Sequence, residues 1–300
     1  MPLLDLVLDY DCNLKCDYCT ITDEMRRRNL PSRAVLERIE AAAARGITAL
    51  SITGGEPTIR KDLVPLIRYA RERGFTDVKL QSNGLMFSYG RYVRKLVDAG
   101  VTRFHVSVHG HDGVGAAGYE RITGGDAGSH ALMLRGIENL LAAGVELTVD
   151  MIVMQDTYRG LRSGIEDLHR RGVTRFALWL VSLTDQNRDN TASLPRIGEV
   201  VPSLLECFDY GRAHAVEVKS LHVPRCFLGG YEDHVQHPGF GEDVWVTTPD
   251  ADFQLSRSRL GGQLKTDRCD GCRFFDQCPG LRVDYVDRYG DGEVVAVRAS

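Results

Sequence analysis

The chain is 300 residues long, 43% hydrophobic and 26% charged, with 31 glycines and a net charge of −4. That length suits one large domain with a small appendage. The acidic balance excludes nucleic acid as the main partner, because phosphate binding wants a basic face. No stretch approaches the roughly 20 apolar residues of a membrane span. The start, MPLLDLVLDYD, lacks the cationic region of a secretory signal. Eight cysteines fall in groups, which points to metal in a reducing, cytoplasmic compartment over a disulfide framework.

In chain order, Leu3–Leu8 is an apolar run that reads as a strand, and Cys12, Cys16 and Cys19 follow it at once. Soft thiolates packed so tightly suit a metal better than a core. A four-iron cluster normally takes four cysteines, so three from one loop leave one iron for a ligand that is not protein. A zinc knot would prefer Cys-x2-Cys pairs and a closed fourth ligand. The run Arg26-Arg27-Arg28 reads as a solvated charged face. Ser32 then opens a helix with Val35, Leu36, Ile39 and Ala43 at helical spacing, and Gly46 ends it.

The same rhythm of helix, glycine stop and strand continues. Strands are expected at Ile47–Thr53, Asp77–Gln81, Thr102–His109, Leu147–Met154 and Phe176–Val181, and helices at Lys61–Arg73, Ser88–Ala99, Ser129–Ala143 and Leu161–Arg171. Such alternation implies parallel strands joined by right-handed crossovers, in a flat doubly wound sheet or an incomplete barrel. The cysteine loop, the loop Gly54-Gly55-Glu56-Pro57 and the glycine-rich segment Gly110–Gly128 all follow strand ends, so they converge on one mouth. Along the fourth strand His105, Ser107 and His109 share a face opposite Phe104, Val106 and Val108. A polar row where barrel interiors are bulky and aliphatic suggests a ligand. Thr148, Asp150 and Trp179 are further interior candidates. Gly113-Val114-Gly115-Ala116-Ala117-Gly118 matches G-x-G-x-x-G, but the helical pattern starts only near Ser129, so it reads as a mouth loop and not a nicotinamide site.

After Thr184 the rhythm breaks. Gln186–Pro195 reads as a linker and Arg196–Gly211 as a helix, on which Cys207 shares a stripe with Val200, Leu204 and Phe208 as a buried thiol. Short strands are expected at Val216–Leu221, Val244–Thr247 and Val294–Val297. A region this small needs a staple. Cys226, Cys269, Cys272 and Cys278 supply one, and four thiolates in this grouping can close a metal site, with zinc the default for such a fragment alone.

The pattern Cys12-x3-Cys16-x-Tyr18-Cys19, joined by Gly54-Gly55-Glu56-Pro57 after the next strand, resembles the signature of the radical S-adenosylmethionine (radical SAM) superfamily. The resemblance implies an α/β fold, a partial (β/α)6 TIM-like barrel with a small C-terminal cysteine-rich auxiliary-cluster domain. It implies a [4Fe-4S] cluster on Cys12, Cys16 and Cys19 whose open iron chelates SAM, and reductive cleavage of SAM to methionine and a 5′-deoxyadenosyl radical. By position, Tyr18, Gly54, Gly55, Glu56, Ser82, Asn83, Ser107 and Arg121 correspond to cofactor contacts, with Glu56 on the amino group and Arg121 on the carboxylate. The late cysteines resemble a Twitch or shortened SPASM extension, which implies one auxiliary [4Fe-4S] cluster on Cys226, Cys269, Cys272 and Cys278. The division expected is a core at 1–184, a linker and helix at 185–214, and the auxiliary-cluster domain at 215–300.

These features imply an oxidoreductase supplied with electrons by a donor such as flavodoxin or ferredoxin. His105, His109, Asp150 and Trp179 are its substrate candidates. The favoured substrate is a small molecule of a natural-product pathway, because the first strand starts at Leu3 and leaves no leader-peptide-binding domain ahead of it. The alternatives are peptide modification by cross-link or thioether formation, epimerisation with Cys207 as hydrogen donor, and a non-catalytic iron–sulfur or zinc scaffold.

Overall fold

The computed structural model describes residues 2–113, 115–257 and 263–298. The strands are β1 Leu3–Val7, β2 Ala49–Thr53, β3 Asp77–Ser82, β4 Arg103–Ser107, β5 Glu146–Val153, β6 Arg175–Leu180, β7 Glu217–Leu221, β8 Val235–Gln236, β9 Val244–Thr247, β10 Asp252–Gln254, β11 Gln263–Leu264 and β12 Leu281–Arg282. The helices are α1 Ser32–Ala43, α2 Leu63–Glu72, α3 Gly90–Ala99, α4 Ala117–Thr123, α5 Ser129–Ala142, α6 Leu161–Arg170, α7 Ile197–His214 and α8 Val283–Tyr289.

Ten strands form one sheet in the order β10-β9-β1-β2-β3-β4-β5-β6-β7-β8. Neighbours from β1 to β7 pair in parallel, which requires crossovers long enough to hold a helix; α1, α2, α3, α5, α6 and α7 supply them. This is the partial TIM-like barrel. Period-two alternation sorts its residues. Leu4, Leu6, Leu50, Ile52, Val78, Leu80, Phe104 and Val106 are buried against the helices. Asp5, Ser51, Lys79, Gln81, His105 and Thr148 take the opposite face, with Asp5 beside Ser51, Ser51 beside Lys79, and Gln81 and Thr148 either side of His105. The inner face of β2, β3 and β4 is therefore polar, while Phe176, Ala177 and Leu221 of β6 and β7 line the same space.

Two expectations change, and the region after 215 also adds strands to the sheet: β7 lies parallel to β6, and β9 parallel to β1 with Leu3 opposite Val244. Apolar residues of both strands, Val218, Val244 and Val246, are buried, so the sheet edges gain the partners that bare strands lack. Val294–Val297 forms no strand; its backbone bonds are a turn, Val294 N–H to the Asp291 carbonyl at 2.9 Å, and a contact from Arg273 N–H to the Val297 carbonyl at 2.7 Å. The glycine-rich segment contains α4, which starts at Ala117, although the remaining glycines keep it short; Val114 lies outside the described residues. Among the described residues no helix is long and apolar enough to cross a membrane.

Candidate active site at the C-terminal mouth of the sheet

The cysteine loop after β1 is held by its neighbours' backbone. Gly55 N–H donates to the Asp9 carbonyl at 2.9 Å and Glu56 N–H to the Asp11 carbonyl at 2.7 Å. From the other side, Lys15 and Asp17 N–H donate to the Thr123 and Ile122 carbonyls at the end of α4, at 3.0 and 2.9 Å. Glycine is needed at the contact with the loop after β2: a Cβ on Gly54, whose φ is +148°, would stand 2.5 Å from the Asp9 carbonyl oxygen, and one on Gly55 would collide with that of Asp11. Arg26 closes the loop from above, with Nη1 donating to the Cys12 and Leu14 carbonyls at 3.4 and 3.2 Å. Leu14 and Ile21 N–H point at the sulfurs of Cys12 and Cys19, each at 3.4 Å.

The three thiols border a cavity of about 380 Å³, whose lining also includes Tyr18, Gly54, Gly55, Ser82, Asn83, Ser107, His109, Asp150 and Trp179. That size lies in the range of small-molecule sites. Burial pushes the Cys16 thiol up to about 12, so loading with metal must displace protons. His109 is neutral: burial lowers it to about 4. Its Nδ1 accepts from Ile152 N–H at 2.9 Å, which leaves the proton on Nε2. The ring of Tyr18 meets it edge-on at 5.1 Å.

Four of the expected residues have partners within the protein or lie away from the upper cavity. Glu56 is fully buried and is not among the residues that border the upper cavity. Its carboxylate accepts from Thr58 N–H at 3.0 Å, the Thr58 hydroxyl, Ser82 Oγ at 2.8 Å and Asn83 N–H at 2.7 Å. Burial raises its pKa against those bonds, and its work here is to tie the loop after β2 to the end of β3. Arg121 is half-exposed and pairs with Asp17 at 3.8 Å and Asp156 at 3.5 Å, so it clamps the cysteine loop to the loop after β5 from outside the cavity. Cys207 is buried in the core on α7, where burial pushes its thiol up to about 12, and it borders neither cavity of the barrel. A donor to a substrate radical would have to reach the mouth. His105 lies deeper than expected, with Nδ1 3.2 Å from both oxygens of the buried Asp150.

Below this space a second cavity of about 720 Å³ opens at the strands' N-terminal ends, bordered among others by Ser51, Lys79, His105, Lys219, Arg225 and His237. Trp179 borders both cavities. Arg225 in turn borders the pocket that Cys226, Cys269, Cys272 and Cys278 share with Phe274, Phe275, Leu281 and Val294. Burial and the three other cysteines push the Cys226 thiol up to about 12. Both thiol sets consist of soft donors alone, the donor type of iron–sulfur and zinc sites, and each set borders one pocket; among the described residues no three or more His, Cys, Asp or Glu side chains close on a single metal ion. Residue-type patterns missed Arg26, whose triplet gave the signal of a solvated run, and Tyr119, which carries no motif.

The Radical SAM superfamily pattern matches residues 8–159, just over half of the chain. The chain belongs to the radical SAM superfamily. The family is one that uses a [4Fe-4S] cluster and SAM. A protein of Methanococcus aeolicus named "Probable GTP 3′,8-cyclase" is 32% identical over 168 residues, 54% of this chain and 54% of that protein. One of the same name from Sulfurisphaera tokodaii is 26% identical over 266 residues, 88% of this chain and 80% of that protein. The chain spans about half the length of the first of these relatives. Among solved structures, Streptococcus suis SuiB bound to S-adenosylmethionine superposes with a TM-score of 0.67 at 13% identity, over 100% of this chain and 77% of that one. Native anSMEcpe with bound AdoMet gives 0.69 at 15% identity, over 99% and 93%. At such identities these structures share the fold.

Proposed function

We propose that Cys12, Cys16 and Cys19 hold the SAM-cleaving cluster and that SAM lies in the upper cavity against Gly54, Gly55, Ser82, Asn83 and Ser107. A small polar substrate then sits beneath it, between Trp179 and the His105–Asp150 pair. The bound cluster supplies the single electron that splits SAM. The chain's residues do the rest. The loops after β1, β2 and α4 hold the thiols in place, the glycines let SAM approach the backbone, and Trp179 shields the substrate from water. His105, bonded to a buried carboxylate, is placed to accept the proton that a net oxidation releases. Cys226, Cys269, Cys272 and Cys278 would hold an auxiliary [4Fe-4S] cluster, which would supply a one-electron acceptor. Residues 1–184 form the core in this reading, 185–214 the connector and 215–300 the auxiliary-cluster region.

One observation supports the reading: Trp179 borders both the three-cysteine cavity and the lower cavity, and Arg225 borders both the lower cavity and the four-cysteine pocket. A second reading, cyclisation of a nucleotide, draws on the names of the relatives and on Lys79, Lys219 and Arg225 around the lower cavity. Peptide modification has as support that the structural neighbour SuiB is solved bound to the precursor peptide SuiA. The test is anaerobic reconstitution followed by reduction with candidate substrates deuterated at carbon. About eight irons per chain and deuterium in 5′-deoxyadenosine from a polyol or aminocyclitol are expected. Deuterium from a nucleoside triphosphate or a peptide instead selects the second or third reading. A zinc-only protein that makes no 5′-deoxyadenosine rejects all three.

A further inference from the structure

Tyr119, on α4, has no solvent exposure and borders the upper cavity, and its hydroxyl finds no partner among the described residues. An orphaned buried hydroxyl is destabilising, so its persistence in a residue that borders a ligand-sized cavity points to a partner outside the described residues. The ring is held from behind. It packs on His130 with centroids 5.3 Å apart, His130 Nε2 lies 2.9 Å from His111 Nδ1, and His111 Nε2 lies 3.2 Å from the Asp167 carboxylate. His111 and His130 are both buried. Three elements thus converge to fix one phenol whose hydroxyl bonds to nothing among the described residues.

We propose that Tyr119 Oη is a cofactor contact, donating a hydrogen bond to an anionic acceptor beside Cys16. The inference rests on the reading of this cavity as the SAM site. A phenol is protonated at neutral pH, so the group is available to donate. Two acceptors share the required chemistry: the carboxylate of SAM and a sulfur of the bound cluster. Arg121, which by motif would hold the carboxylate, is engaged outside the cavity by Asp17 and Asp156, and that leaves the acceptor in need of a donor.

The test is Tyr119→Phe in the full reconstituted chain, with three readouts. Without cluster or SAM, the variant should melt at the same temperature as the wild type or higher, because the deleted oxygen had no partner; a lower melting temperature means that the hydroxyl serves the protein's own structure and overturns the proposal. With the cluster loaded, SAM affinity by equilibrium dialysis should weaken about tenfold if the acceptor is the carboxylate. If it is a cluster sulfur, SAM affinity stays and the cluster's reduction, followed by electron paramagnetic resonance, becomes less favourable by a similar factor. Affinity within twofold of wild type together with an unchanged reduction equilibrium overturns the proposal while leaving the site intact. Failure of the wild type itself to bind SAM would overturn the site reading as well. Tyr119→Leu, which removes ring and hydroxyl together, should lose the unloaded stability that Tyr119→Phe keeps.

Discussion

The cysteine loop at 12–19 and the cysteine set at 226–278 present the same donor atom in different surroundings. The first borders a roomy cavity beside Gly54, Gly55, Ser107 and His109, and the loops after β2 and α4 hold its backbone. The second rings a smaller space walled by Phe274, Phe275, Leu281 and Val294, with Gly280 pressed so close to the Leu264 carbonyl that a Cβ would collide. Three thiols with polar space beside them leave room for a further ligand, whereas four thiols among apolar walls close on themselves. Thiol chemistry alone does not separate a reactive site from a staple; the number of thiols and the space next to them do.

The sharpest way to break this comparison is to remove one thiol from each site. Cys16→Ala should reduce 5′-deoxyadenosine formation to background. Cys272→Ala should keep it, drop the iron content by about half and abolish net oxidation; intact oxidation in that variant would leave the second site purely structural. Next in size is Gly55→Ala, whose Cβ has no space against Asp11. It should cost about 3 kcal/mol and prevent loading of the first site only, as read from iron content in a protein that retains its other cluster.

Glu56→Gln places an amide opposite the donors from Thr58, Ser82 and Asn83. It should destabilise by about 2 kcal/mol in thermal melts of the unloaded chain. If the carboxylate acted on SAM alone, the unloaded chain would melt unchanged.

His109 gives a pH signature. Its folded pKa of about 4 lies below the ordinary value of 6.5, so between those values the unfolded chain binds more protons and stability falls as pH falls. Asp9, raised by burial to about 6, acts in the opposite sense, and His222 and His237, both lowered to about 4 by burial, act in the same one. The difference between wild type and His109→Asn isolates one ring: the variant should lose about 2 kcal/mol less between pH 7 and 4, a discounted figure because the ring edges the open cavity.

The smallest effect is expected of Arg121→Met. Its ion pairs are long and exposed, and such pairs contribute about 0.5 kcal/mol or less. SAM affinity should hold; a tenfold loss would put the guanidinium inside the cavity.

Much of this was legible in the linear chain. The spacing of Cys12, Cys16 and Cys19 with Tyr18 carried the family, because ligands from one loop are close in sequence as well as in space. The period of Val35, Leu36 and Ile39, and the glycine at Gly46 and at Gly100, marked helix ends, since backbone conformations are local. The polar face of β4 was visible for the same reason, and register extended it across β2, β3 and β5.

Other features depended on contacts between distant residues, and only the tertiary structure decided them. Glu56 turns inward because Ser82 and Asn83, 26 and 27 residues away, offer it donors. Arg26 leaves a charged triplet to hold the cysteine loop's carbonyls. Tyr119 has no motif, and its hydroxyl acquires meaning only from a cavity assembled by loops far apart in the chain. Likewise β7 and β9 look like parts of a separate appendage until they pair with β6 and β1. Residue identity and short-range spacing set the chemistry of the two thiol sites. Long-range packing set which side chains face that chemistry, because direction and burial depend on neighbours that the order of residues does not place side by side.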